Sequence, residues 1–219
     1  MSLTKFILII CHIPIFYISI NLLFKFSQFR HEIKPVATYL ILTGILFAIS
    51  LVLWFYNVNN LIILHILVPL RFLLLITIYN KIFSGYLPKW IMQIVAVIFC
   101  IFSIVNTFLF ETYDTFNSSA LTIEGVVMII LSLSTYLFLI DKRMTKHLKD
   151  FKRSIEWVNS GVFIYYTTTL TVSYFGKFII ELLSPELSRY TWMVNSILII
   201  IMHYCFYIAI WKQKNISHS

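Results

Sequence analysis

Seven apolar runs, each roughly twenty residues long and set apart by short polar connections, constrain this chain more than any motif in it. They fall at 6–24, 36–56, 61–79, 88–110, 120–140, 157–176 and 191–211. A run of that length spans the hydrocarbon of a bilayer as a helix, and lipid allows little else, because every backbone N–H and C=O must find its partner inside the segment. The expected fold is therefore all-α: one seven-transmembrane-helix bundle occupying 1–219. Composition excludes a soluble domain, with 60% hydrophobic and 12% charged residues and a mean hydropathy of +0.88. In such a chain a net charge of +8 reports topology before it reports nucleic acid.

Basic residues alternate from one side to the other. The connections at 25–35, 80–89, 141–156 and after 211 carry 3, 2, 6 and 2 Lys/Arg, whereas the N-terminus and the connections at 57–60, 111–119 and 182–190 carry 1, 0, 0 and 1. The positive-inside rule then puts the N-terminus outside and the C-terminus in the cytoplasm, which requires an odd number of spans. Trp54, Trp90, Trp157, Trp192 and Trp211 all fall near run ends, the level at which indole rings prefer to sit. The first run has no small-residue cleavage site after it and reads as a retained helix. No Gly-xxx-Gly pair occurs, so packing is expected to rest on Leu, Ile and Phe. Cys11, Cys100 and Cys205 lie inside apolar runs and read as packing residues, with no zinc spacing and no disulfide framework.

Polar stripes at helical spacing mark the faces turned toward other helices. Examples are Tyr39, Thr43 and Ser50 in the second run, Ser103 and Thr107 in the fourth, and Asn159, Ser160 and Tyr166 in the sixth. The ionisable residues weigh more, because burying them costs more. Arg71 lies roughly 15 to 18 Å from the outer end of its helix and about 12 Å from the inner end, too deep to snorkel with ease. Glu124, His65 and His12 fall in the outer half, and Trp192 and Asn195 enter the membrane at the same level. The expectation is a ligand-binding pocket open to the outside, formed by His12, His65, Glu124, Trp192 and Asn195 and floored by Arg71. Glu124 has Arg71, His65 or a cationic ligand as its candidate partners. Pro69, two residues before Arg71, withholds a backbone N–H and allows a bend.

Enzyme chemistry finds little support. Seven-helix zinc hydrolases of the ceramidase and adiponectin-receptor type need a paired His-xxx-His, whereas His12, His65 and His203 are scattered over three runs. There is no Gly-x-Ser-x-Gly elbow, no phosphate loop and no second membrane carboxylate beside Glu124. No lysine in the last run could hold retinal. No cofactor is expected. The segment 141–156 has Met144, Leu148, Phe151 and Ile155 on one helical face and Lys142, Arg143, Lys146, Lys149, Lys152 and Arg153 over most of the rest. It reads as an amphipathic cytoplasmic helix on anionic lipid headgroups, or as a docking surface for a cytoplasmic signalling partner.

The runs His65-Ile-Leu-Val-Pro-Leu-Arg-Phe72, Ile123-Glu124-Gly125, Trp157-Val-Asn-Ser-Gly161 and Tyr207-Ile-Ala-Ile-Trp-Lys212 resemble those of a family of small, uncharacterised seven-helix membrane proteins from Bacteroidetes. The resemblance covers most of the chain and implies a bacterial inner-membrane location without implying an activity. The family often carries an acid where this chain has Arg71. Three functions fit these features. The first is a receptor-like sensor that binds a small molecule from outside. The second is a small-solute transporter with the size and topology of the SWEET proteins, although Pro14 lacks the counterpart in the fifth run that their parallel repeats would supply. The third is an oligomeric pore or stress effector.

Overall fold

The computed structural model describes residues 3–56, 58–140, 151–182 and 184–216. Among these the chain is helical, with no strand. The helices are α1 (Leu3–Lys25), α2 (Lys34–Phe55), α3 (Leu61–Ile82), α4 (Lys89–Leu109), α5 (Ser118–Ile140), α6 (Lys152–Tyr174), a short α7 (Gly176–Leu182) and α8 (Pro185–Ile216). Among the described residues five helical segments are long and apolar enough to cross a membrane: Lys34–Phe55, Leu61–Ile82, Lys89–Leu109, Ser118–Ile140 and Tyr190–Gln213. α1 and α6 match them in length at 23 residues each. α6 is far less apolar, because Ser154, Asn159 and Thr169 are buried inside it while Thr167, Thr168 and Thr171 lie on its exposed face.

Local sequence explains three of the helix boundaries. Pro35 sits in the first turn of α2, where an N–H would have had no intrahelical partner. Gly85 turns the chain from α3 toward α4 at φ +93°, a backbone conformation that a side chain would strain. The carboxylate of Glu111 accepts from the Ser119 backbone N–H at 3.2 and 3.1 Å and so caps the start of α5. One boundary departs from the sequence reading. Lys152–Glu156, expected to close a separate amphipathic helix, form the first turns of α6 and run unbroken into the sixth apolar run. Lys142, Arg143, Lys146 and Lys149 lie outside the described residues.

The helices α1, α2, α3, α5, α6 and α8 form a closed ring in which each packs on the next and α8 returns to α1. α4 rests on both α3 and α5 and turns Ile94, Val97, Ile98, Ile101 and Ile104 outward. The core holds Tyr39, Leu40, Phe72, Leu75, Met128 and Phe206, each essentially inaccessible. Two close crossings use single glycines, not Gly-xxx-Gly pairs. A methyl group on Gly161 of α6 would lie 2.8 Å from Cys205 Cβ and 3.3 Å from the Met202 carbonyl of α8. One on Gly44 of α2 would lie 2.0 Å from Ser19 Oγ of α1. The same Ser19 hydroxyl reaches Leu40 O across that crossing at 2.8 Å.

Candidate functional site

Arg71 and Tyr79 are eight residues apart on α3, and Glu124 and Ser132 are eight apart on α5, so each pair is separated by about 12 Å along its helix. α6 runs the other way and presents Tyr166 and then Asn159 at the matching heights. Three helices are thereby fastened at two levels.

At the upper level Arg71 and Glu124 form a bidentate ion pair. Arg71 Nε donates to Glu124 Oε1 at 2.8 Å, and Nη2 donates to Oε2. The side chains are only 4% and 0% exposed. From α6, Tyr166 donates its hydroxyl to Glu124 Oε1 at 2.6 Å, and the Tyr165 hydroxyl accepts from Arg71 Nη1 at 3.3 Å. The guanidinium also lies 5.6 and 5.5 Å from the centroids of these two rings, a cation–π arrangement. Tyr39 of α2 is fully buried within electrostatic range of Arg71 and Glu124, and its hydroxyl has no hydrogen-bond partner. A buried charge pair is tolerable only when further hydrogen bonds support it, and the two α6 tyrosines supply one to each partner here.

At the lower level the amide of Asn159 joins all three helices. Its Oδ1 accepts from Tyr79 of α3 and from Ser132 of α5, both at 3.0 Å, and its Nδ2 donates to the Ser132 carbonyl at 3.1 Å. Another buried histidine lies across the ring. His203 of α8 donates from Nδ1 to Ile199 O at 2.9 Å, and its Nε2 lies 3.1 Å from Thr43 Oγ1 of α2. A carbonyl can only accept, which fixes the proton on Nδ1.

A further polar layer sits at the end of the bundle where α4 passes into α5. His65 donates from one ring nitrogen to Thr115 O at 3.0 Å, and the other lies 2.9 Å from Thr107 Oγ1. Glu111 is buried and accepts from Asn106 Nδ2 at 2.7 Å and from the Ser119 hydroxyl at 3.0 Å. Asn106 also donates to Asn117 Oδ1 at 3.0 Å. Asn117 Nδ2 and Ser103 Oγ are buried here without partners. On the exposed loop beside this layer, the Thr112 hydroxyl donates to Asp114 and holds that carboxyl below its usual range.

Of the six residues expected to line the outer pocket, Arg71 and Glu124 are bonded to each other. His65 is bound within the α4–α5 layer. His12 packs between Phe16 and Phe47, with ring centroids 6.1 and 6.0 Å away, on the α1–α2 side of the bundle. Trp192 packs against Phe116 at 4.9 Å, and Asn195 is half-buried one turn further along α8. Lys152 and Arg153 occupy the first turn of α6.

Sequence reasoning passed over Glu111, Asn106, Tyr79 and Tyr165. The matched eight-residue spacing of Arg71 with Tyr79 and of Glu124 with Ser132 was the available signal for Tyr79. Glu111 gave none, since it stands in a connection that reads as solvated loop. Among the described residues no three His, Cys, Asp or Glu side chains come together in a way that could hold a metal ion. Comparison with family models, with curated proteins and with solved structures gives no match.

Proposed function

We propose that this chain is a receptor-like sensor of a bacterial inner membrane, crossing it seven times through α1 to α6 and α8, with the N-terminus outside and the C-terminus in the cytoplasm. Five apolar helices, two more of equal length and the alternation of basic connections support that topology. One observation carries the functional reading: the enclosed Arg71–Glu124 pair ties α3 to α5 and, through Tyr165 and Tyr166, to α6, the helix that follows the most basic connection.

Such a junction has two discrete arrangements, paired and exchanged. A ligand arriving past His65 and Glu111 and offering its own charge to Glu124 or Arg71 favours the exchanged one, by as much as its affinity for the two arrangements differs. α6 then conveys the change to a partner at the cytoplasmic end.

A transporter is the second reading, favoured by the ring itself. α1–α2–α3 and α5–α6–α8 divide it into two consecutive three-helix halves with α4 between them, and Arg71–Glu124 lies on the seam.

The test is a thermal-stability screen of the purified protein against small molecules of the cell exterior, run in parallel on Glu124→Gln. A compound that stabilises the parent and not the variant supports binding at the ion pair. Flux of that compound into proteoliposomes would replace the sensor reading with the transporter reading. A screen in which nothing binds, together with a variant that melts far below the parent at every pH, assigns the pair to structure alone.

A further inference from the structure

A cavity of 240 Å³ opens at the basic end of the bundle, between the first turns of α2, the last turns of α3 and the first turns of α6. Its floor is aliphatic: Val36, Ile78, Ile82, Ile155 and Val158 are all buried. Its rim is charged. Lys81 lines it and donates to His31 O at 2.5 Å and to His31 Nδ1 at 3.2 Å. An ammonium has three N–H donors, so one remains. Glu32, also on the rim, is offset by Arg30 at 3.6 Å, and the Arg30 guanidinium lies 5.0 Å over the ring of Phe151, another lining residue.

Two helix N-termini border the same space. Ile33 precedes α2 and Phe151 precedes α6; both line the cavity, and neither caps its helix with a side chain. At α2 the Lys34 and Val36 N–H groups already donate to Arg30 O and Ile33 O and Pro35 has none, so what converges on this space is the positive ends of two helix dipoles. α3 ends at the cavity as well, where the Phe83 N–H occupies the Tyr79 carbonyl and the Ser84 hydroxyl the Lys81 carbonyl. Lys152 and Arg153 follow in the first turn of α6.

An apolar floor beneath a cationic rim, at the membrane interface and between helices, is the chemistry of an anionic amphiphile site. The volume equals that of about eight water molecules, enough for a headgroup and the start of its chains and too small for a whole lipid. We propose that this cavity binds one anionic phospholipid, its phosphate between Lys81 and the starts of α2 and α6 and its glycerol and upper chain carbons on Ile78, Ile82 and Val158. The site is built from residues other than the outer polar layer and stands independently of the sensor reading. It also differs from diffuse attraction to the basic connection, since it requires a cavity and not charge alone.

The test is the thermal stability of the full-length protein in a neutral detergent, titrated with short-chain phosphatidylglycerol, short-chain phosphatidylcholine or inorganic phosphate. The expected result is saturable stabilisation by phosphatidylglycerol only. Lys81→Gln should weaken it roughly fivefold, the worth of one basic residue near a headgroup. Val158→Phe, which fills the floor and leaves every charge in place, should abolish it; if that variant does not fold, Ile78→Phe fills the same space from α3. The proposal is overturned if the filled variant still responds to phosphatidylglycerol, because the basic surface alone would then account for binding. Equal stabilisation by phosphatidylcholine overturns it, as does full stabilisation by phosphate alone.

Discussion

Replacing Glu124 by Gln removes one charge from the centre of the bundle and changes almost no volume. The amide oxygen can still accept one bond from Arg71, but the NH2 group faces a guanidinium N–H, donor against donor. Arg71, only 4% exposed, then keeps a buried charge with no counter-ion. Removing one partner of a buried pair costs about 3–5 kcal/mol, and the two aromatic faces beside Arg71 recover only a fraction of that. For a chain of this size the loss corresponds to a fall in melting temperature of about 6 to 20 °C.

Arg71→Met should cost less than Glu124→Gln. A carboxyl stranded in the core can take up a proton and become neutral, and Tyr166 still donates to it at 2.6 Å, whereas a guanidinium has no such escape. The double variant should be more stable than Glu124→Gln alone, with a coupling of about 2–3 kcal/mol. Thermal or denaturant unfolding in detergent, performed as a double-mutant cycle, measures all three quantities. Additive effects, or a Glu124→Gln protein that melts with the parent, would refute the assignment of a buried charged pair.

Gly161→Ala should destabilise the protein by about 1–3 kcal/mol by pushing α6 off α8, because the obstruction includes a backbone carbonyl that cannot turn aside; unfolding of the variant measures it. Asn159→Leu should cost about 2 kcal/mol in the same assay, since it orphans the buried Tyr79 hydroxyl, whereas Ser132 keeps its bond to the carbonyl of residue 159. Thr112→Val removes the hydroxyl that holds Asp114 down, so the carboxyl should titrate higher by NMR. The parent gains stability from this carboxylate above the ordinary aspartate range and loses it as pH falls through the depressed folded value, and in the variant that dependence should flatten.

The membrane class was legible in sequence because lipid imposes one local rule, that a crossing segment be apolar and satisfy its own backbone, and five helices among the described residues meet it. Helix ends coincide with local signals at Pro35, in the first turn of α2, and at Gly85, after α3. Arg71 and Glu124 also stood out singly, since an ionisable group inside an apolar run is costly wherever the helix is placed. Periodicity gives the face of a helix but never its neighbour. The seating of α3 beside α5 was therefore decided only by packing, which closes Arg71 on Glu124 and leaves His65 with Thr107 and Thr115. Packing likewise settled the burial of Glu111, a residue in a connection, because it depends on how α4 and α5 fold that connection over their own ends. The cavity at the basic end has the same origin: its walls come from three helix termini, at 32–36, 78–84 and 151–158, and no local rule connects them.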